Sequence, residues 1–376
     1  MEYKKQLSFI LVKPSGPDCN LDCKYCFYTK KSDYFGNDII HRMDKETLEL
    51  LIKKSLNRPH KQISFGWQGG EPTLMGLDFY KDVVELQKKY GSNMIVSNSL
   101  QTNGILLDEN WVEFLKEYSF LVGLSIDGPR EIHDSYRVNQ GGKPTHQRVE
   151  EVAKMLLQSG VEVNALSVVT EKSSKDAKLL YNYLKDLGFK FMQFIPIMEM
   201  DPNNPKEVAD FSVTAHSYGK FLCDLFDAWV NDFVNGRPEI SIRLFETFAA
   251  IYLGHEALEC TFQKECGKYI TVEHNGTIYS CDFFVEDTWL LGSLDNEKSL
   301  EEILNSRKQT LFGEVKRKLD KRCLKCKWLK FCYGGCPKDR LRNPATKRFN
   351  PFCESIKMFF EHADEQFKEI IANLNF

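Results

Sequence analysis

SFILVKPSGPDCNLDCKYCF, residues 8–27, is the stretch from which the rest of the chain is read. It opens on an apolar, β-rich run, Ser8–Lys13, and stops at Pro14. Such a run bounded by turn residues predicts a strand. The loop that follows holds Cys19, Cys23 and Cys26, spaced C-x3-C-x2-C. A complete four-iron cluster site takes four thiolates, so three leave one iron without a protein ligand and open to chemistry. A zinc site fits this triad less well. Structural zinc takes four protein ligands, and no histidine or fourth cysteine stands near the triad.

The other cysteines extend the count. Eight crowd the last third: Cys260, Cys266, Cys281, Cys323, Cys326, Cys332, Cys336 and Cys353. Eight thiolates are two complete four-cysteine sites. Cys223 is left over at an apolar position of a predicted helix and reads as a packed thiol. A 376-residue chain with 42% hydrophobic and 27% charged residues has a globular composition. Its net charge of −3 advertises no nucleic-acid surface. The N-terminus lacks a signal-peptide core, and no stretch approaches the ~18 apolar residues of a membrane span. A cytoplasmic protein with no nucleic-acid or membrane partner is expected. There thiols stay reduced and close-spaced cysteines read as metal ligands.

Working outward, residues 1–200 alternate strand and helix patterns. The strand candidates are Ser8–Lys13, Gln62–Trp67, Met94–Ser97, Phe120–Ile126, Val161–Val169 and Lys190–Ile195. Helices are expected at about 44–57, 77–90, 108–118, 145–159 and 173–187, with Asp44 and Asp108 as N-caps and Gly160 and Gly188 as C-terminal stops. This alternation predicts an α/β fold with a parallel sheet. Six units are too few for a closed eight-stranded barrel, which leaves an open partial barrel or a doubly wound sheet. In either case chemistry sits at the C-terminal strand ends. The cysteine loop, Gly69-Gly70-Glu71-Pro72, Gln101-Thr102-Asn103-Gly104 and Ser125-Ile126-Asp127-Gly128 follow or end strands one to four, so they converge on one rim. Beyond Pro202, residues about 206–235 and 242–254 look helical, and an amphipathic helix from Glu354 to about Ala372 closes the chain.

The C-x3-C-x2-C loop followed by GGEP resembles the radical S-adenosylmethionine (SAM) superfamily. The resemblance implies a partial (β/α)6 TIM-like barrel. It implies a cluster on Cys19, Cys23 and Cys26 whose open iron chelates the amine and carboxylate of SAM. Gly69, Gly70 and Glu71 would bind the methionine amine, Tyr25 would lie against the adenine, and Ser125 would bond the ribose. Arg137 would pair with the SAM carboxylate, and Ile195 would close the adenine pocket. The later pattern, Cys-x2-Cys-x5-Cys-x3-Cys with a further cysteine, resembles the SPASM domain and its two auxiliary clusters. Carried over, Cys260, Cys266, Cys281 and Cys336 hold one, and Cys323, Cys326, Cys332 and Cys353 hold the other. The spacing by itself leaves many other pairings open.

Over nearly its full length the chain is most similar to the anaerobic sulfatase-maturating enzymes. Trp67 to Pro72, Gln101 to Gly104, Ser125 to Gly128, Cys281-Asp282-Phe283 and Cys336 to Arg340 carry that resemblance. It implies oxidation of a cysteine or serine in a sulfatase Cys/Ser-x-Pro-x-Arg motif to Cα-formylglycine, with three [4Fe–4S] clusters and SAM. Asp282 would be the general base beside a cluster ligand. Gln68, Gln101 and Asn103 would bind the substrate backbone, since amides both donate and accept. The expected partners are an unfolded or nascent sulfatase polypeptide and a ferredoxin- or flavodoxin-type electron donor, with the enzyme a monomer. The expected domains are a radical SAM barrel at 1–200, a helical connector at 201–259, a SPASM domain at 260–353 and a C-terminal helix at 354–376. A SPASM maturase that crosslinks another peptide is the second reading, and a zinc-binding module without catalysis the third.

Overall fold

Alternating burial along Phe9–Lys13 makes it a strand with one face in the core: Ile10 and Val12 are fully buried in β1 of the computed structural model. The structure describes residues 4–36, 39–201, 204, 206–342 and 349–373. Among the described residues there are ten strands, in parallel and antiparallel pairs. The chain divides into two compact units.

The first unit comprises Met1–Ser125, Arg137–Val163 and Gly267–Gly313. Here β1 is followed by β2 (Gln62–Trp67), β3 (Ile95–Thr102) and β4 (Leu121–Ser125), paired in parallel and in sequence order. Helices Lys45–Leu56, Leu77–Tyr90 and Glu109–Glu117 make the crossovers. Two of these helices start where the acidic caps predict. Asp44 accepts from Thr47 N at 2.7 Å and Asp108 accepts from Trp111 N at 3.0 Å.

The second unit comprises Ile126–Tyr136, Asn164–Cys266 and Glu314–Phe376. It holds most of β5 (Val163–Val169), with β6 (Phe191–Pro196) and β7 (Ser241–Ile242), again parallel and in order. A doubly wound sheet reverses its strand order at a switch point. β1 to β4 and β5 to β7 each run parallel in sequence order, the winding of a (β/α) barrel, and the later β8 (Ile270–Glu273) joins the other side of β1. Helices Ala215–Asn231, Arg243–Tyr252 and Cys353–Asn373 bury an aromatic cluster that includes Phe226, Phe245, Phe359 and Phe367. Each such buried ring stabilises the fold by about 1.5–3 kcal/mol. Gly219 lets two of these helices meet closely, since a Cβ there would lie 2.8 Å from Met358 Sδ and 3.0 Å from Ser355 Cα.

Three features depart from the sequence expectations. β3 runs to Thr102 rather than Ser97 through the polar stretch Ser97-Asn98-Ser99. Asn98 is satisfied there by Trp67 Nε1 at 2.9 Å and by a paired amide contact with Gln87. The helix expected over 206–235 is helical only at Ala215–Asn231. Thr214 caps its start by accepting from Ser217 N, and Asn235-Gly236, both at positive φ, turn the chain beyond its end. The cysteine-rich region also adds strands. β8 (Ile270–Glu273) pairs in parallel with β1, and β9 (Thr277–Tyr279) and β10 (Leu290–Ser293) follow as antiparallel neighbours. These strands are only three or four residues long and too short to show a period.

Candidate active site

The loop after β1 is shaped by backbone turns. Gly16 N donates to Lys13 O, Asp18 N to Ser15 O and Cys26 N to Cys23 O. Gly16 takes a positive φ of 51°. Asp18 anchors the loop by accepting from His41 N, from the His41 ring and from Arg42 Nη1. Burial pushes the Asp18 carboxyl up, but these partners outweigh it and hold it below the ordinary value. Cys19 is mostly enclosed, and burial pushes its thiol up to about 12. Binding a metal there must therefore displace a proton.

The Gly69-Gly70-Glu71-Pro72 loop is zipped onto the cysteine loop. Gly70 N donates to Gly16 O and Glu71 N to Asp18 O, both at 2.8 Å. A Cβ on Gly70 would lie 2.0 Å from Asp18 O, so only glycine fits. The Glu71 carboxylate turns inward and is 1% exposed. Its Oε1 accepts from Thr73 N, Thr73 Oγ1 and Thr102 Oγ1, and its Oε2 accepts from Asn103 N. Glu71 is thus a clasp joining the ends of β2 and β3. Asn103 belongs to the same clasp, because its Nδ2 donates to Asn20 Oδ1 at 2.8 Å, beside Cys19.

Two expected SAM contacts meet in the first unit. The Arg137 guanidinium lies 5.5 Å from the centre of the Tyr25 ring, and both residues are buried. Ser125 is buried at the last position of β4. Ile195 lies in β6 of the second unit and is 37% exposed.

Asp282 stands at the centre of a polar chain within the first unit and is 7% exposed. Its Oδ1 accepts from Tyr269 Oη at 3.1 Å and lies 3.4 Å from Cys281 Sγ. The Tyr269 hydroxyl is also 3.2 Å from Cys281 Sγ. Lys13 Nζ lies 3.9 Å from Asp282 Oδ2 and donates to Gln68 Oε1 at 2.8 Å. Gln68 Nε2 in turn donates to Gln101 Oε1 at 2.7 Å. Asp282, Gln68 and Gln101 are therefore linked, whereas Asn103 faces the cysteine loop. Lys13 and Tyr269 were missed in the sequence. A lysine ending an otherwise apolar strand was a usable signal for the first; nothing local marked the second.

The second unit gathers the other thiols in two groups. Burial pushes the Cys336 thiol up, and nearby Asp339, Cys260 and Cys266 add to it. Cys353 rises to about 11 through burial, with contributions from Cys332 and Cys323, and Cys332 is affected by Cys323 and Cys326. Two buried cations attend these groups, Lys316 the first and Arg340 both. Lys316 Nζ donates to Cys260 O and Thr261 O, and its pKa is lowered by burial against the pull of three thiols. Arg340 Nη2 donates to Val315 O and Lys316 O. Among the described residues no three His, Cys, Asp or Glu side chains converge as a single ion requires. A cluster interposes its own irons and sulfides between the ligands and needs wider spacing. Cys223 is half-buried with Sγ 3.9 Å from Met358 O, the packed thiol expected.

The fold and this site define a radical SAM enzyme with an iron–sulfur SPASM module. The Radical SAM superfamily model matches residues 14–184, and the SPASM model, an iron–sulfur cluster-binding domain, matches residues 260–327. The cysteine-type anaerobic sulfatase-maturating enzyme of Clostridium perfringens is 39% identical over 97% of this chain and 98% of its own length. The serine-type enzyme of Bacteroides thetaiotaomicron is 37% identical over 94% of this chain and 89% of its own. The structure of native anSMEcpe with bound AdoMet and the Cp18Cys peptide superposes with a TM-score of 0.88 at 38% identity, covering 98% of this chain and 100% of that one. The chain belongs to the anaerobic sulfatase-maturating enzyme family. These relatives support that reading over a peptide-crosslinking maturase. No helix among the described residues is long and apolar enough to cross a membrane.

Proposed function

We propose that the protein oxidises a cysteine or serine in a sulfatase Cys/Ser-x-Pro-x-Arg segment to Cα-formylglycine, without oxygen, using three [4Fe–4S] clusters and SAM. Cys19, Cys23 and Cys26 would hold the first cluster. Cys260, Cys266, Cys281 and Cys336 would hold the second, and Cys323, Cys326, Cys332 and Cys353 the third. When bound, SAM and the first cluster supply a 5′-deoxyadenosyl radical that takes one hydrogen atom from the substrate Cβ.

The chain's own residues do the rest. Tyr25, Ser125, Arg137 and Ile195 are assigned to hold SAM, with the backbone of Gly69 and Gly70 facing the ammonium and Glu71 fixing that backbone. Gln68 and Gln101 present amides to the peptide, and Asn103 secures the rim beneath it. After hydrogen-atom loss the peptide must give up a proton and an electron. Asp282 accepts the proton from the thiol or hydroxyl, and Cys281 beside it marks where the electron leaves. A thiol substrate yields a thioaldehyde, which water converts to the aldehyde with release of sulfide; a hydroxyl yields the aldehyde directly.

The observation that carries this reading is the buried Asp282 carboxylate, held between Tyr269 and Lys13 and next to Cys281. The partner would be an extended, unfolded sulfatase segment bound by backbone contacts. The electron donor would be a small acidic carrier of ferredoxin or flavodoxin type. Residues 314–330, around Cys323 and Cys326, carry seven Lys or Arg besides the buried Lys316, against two acidic residues, in a chain of net charge −3. The domain limits given above and a monomeric state complete the proposal.

The test is anaerobic incubation of reconstituted protein with SAM, a strong reductant and a Cys-x-Pro-x-Arg peptide. A hydrazine-trappable aldehyde is expected by mass spectrometry. SAM cleavage with an unchanged peptide would show the substrate class to be wrong. Asp282→Asn is expected to keep cleaving SAM while aldehyde falls roughly 10²-fold or more.

A further inference from the structure

Lys13 is a buried lysine ending an otherwise apolar strand. Its side chain is 1% exposed at the end of β1. A buried ammonium is costly to desolvate, and once in place it offsets the buried carboxylate near it, so that removing it alone leaves that carboxylate unpaired. What surrounds the ammonium explains its presence. One of its three donors reaches Gln68 Oε1 at 2.8 Å. Asp282 Oδ2 lies 3.9 Å away. The Tyr28 ring lies beneath, with its centre 4.0 Å from Nζ. Tyr28 is itself fixed by donating to the Glu273 carboxylate at 2.7 and 2.8 Å. Glu273 is fully buried on β8 and is the register partner of Lys13 across the β1–β8 ladder.

The two oxygens of Asp282 are therefore held differently. Oδ1 is committed to the Tyr269 hydroxyl. Oδ2 faces a positive charge at a distance longer than a hydrogen bond, which orients it without occupying it. The same ammonium fixes Gln68, whose amide continues to Gln101 on the exposed rim.

We propose that Lys13 is a positioning residue for the oxidation: its ammonium ties Gln68, which holds the peptide, to Asp282, which takes the proton, and so sets the reacting Cβ and its base in register. This rests on the roles given above to Gln68 and Asp282. Lys13 makes no covalent bond and exchanges no electron.

The test compares Lys13→Met, Lys13→Arg and Asp282→Asn, each as reconstituted holoenzyme. Thermal midpoint, peptide affinity by calorimetry, peptide KM and kcat, and the ratio of aldehyde to 5′-deoxyadenosine are read for each. Lys13→Met leaves the buried Asp282 carboxylate without its cation and is expected to melt below the wild-type temperature. Its aldehyde-to-5′-deoxyadenosine ratio is expected to fall about tenfold and its peptide KM to rise several-fold. Lys13→Arg keeps the charge and is expected to recover part of both losses. An unchanged ratio and KM in Lys13→Met would overturn the proposal. So would loss of 5′-deoxyadenosine and aldehyde in the same proportion, because that is a purely structural role. If Lys13→Met does not fold, Lys13→Gln, which keeps the bond to Gln68 without the charge, decides on the same readouts. Loss of product in Asp282→Asn alone would defeat the role of Lys13 and leave that of Asp282 standing. Undiminished product in Asp282→Asn would defeat the reading of the base itself.

Discussion

Gly70 and Glu71 show how much a single position carries here. Gly70 has no room for a Cβ against Asp18 O, so Gly70→Ala must part the two loops. It is expected to lose most of the iron bound by the first site, measured as iron per chain against wild type. Full iron content would show that the loops can separate without harm. Glu71→Gln keeps an acceptor for Thr73 and Thr102 but turns an amide N–H₂ toward Asn103 N–H. A buried donor left unsatisfied costs about 1–3 kcal/mol, readable in denaturant midpoints. Burial also pushes the Glu71 carboxyl above 4.5, despite the hydrogen bonds from Asn103, Thr73 and Thr102. The folded protein therefore holds that proton more tightly than the unfolded chain does. This stabilisation is fully present below the unfolded value and lost as pH rises through the folded one. The margin of wild type over Glu71→Gln should be larger near pH ~5 than near pH ~8; a margin that grows with pH would contradict the sign. At this scale the sequence showed which residues mattered but not always why. GGEP reads as a ligand-binding turn, while the structure adds that its glutamate is an internal clasp. That difference lies in which way a carboxylate points, and no spacing encodes it.

At the scale of elements, strand and helix identity was legible wherever apolar periodicity was strong, as in β2 and the helix Leu77–Tyr90, whose limits match the expectation. The sequence pattern ends β3 early because its second half is polar. Its strand conformation is upheld by Asn98, bridging Trp67 and Gln87 across two other elements. Asn98→Ala leaves the buried Trp67 N–H without its acceptor and should cost about 1–3 kcal/mol in denaturant unfolding. A loss under ~0.5 kcal/mol would mean that the polar half of β3 is held by its ladder alone. β8 was hidden for a different reason: four residues between cysteines read as metal-site spacing. Yet β8 brings Glu273 beside Lys13 and starts the hairpin that leads to Asp282. The base was legible as a residue but not as the end of an added strand.

Over the whole molecule, the cysteine count and the order of βα units indicated the fold class and the chemistry. The pairing of the eight later cysteines came only with the family resemblance. The basic segment at 314–330 makes one prediction at this scale. Turnover driven by an acidic carrier protein should fall steeply between roughly 0.05 and 0.5 M salt, while turnover driven by a small inorganic reductant should hardly change. Equal sensitivity of both would place carrier docking elsewhere. The central claim is that hydrogen leaves the Cβ of a peptidyl cysteine or serine on the way to an aldehyde. Its most direct test uses a Cys-x-Pro-x-Arg peptide deuterated at that Cβ, with mass spectrometry of the 5′-deoxyadenosine formed. One deuterium gained per molecule, in step with aldehyde, is the predicted result; 5′-deoxyadenosine without deuterium, in the presence of aldehyde, would contradict it.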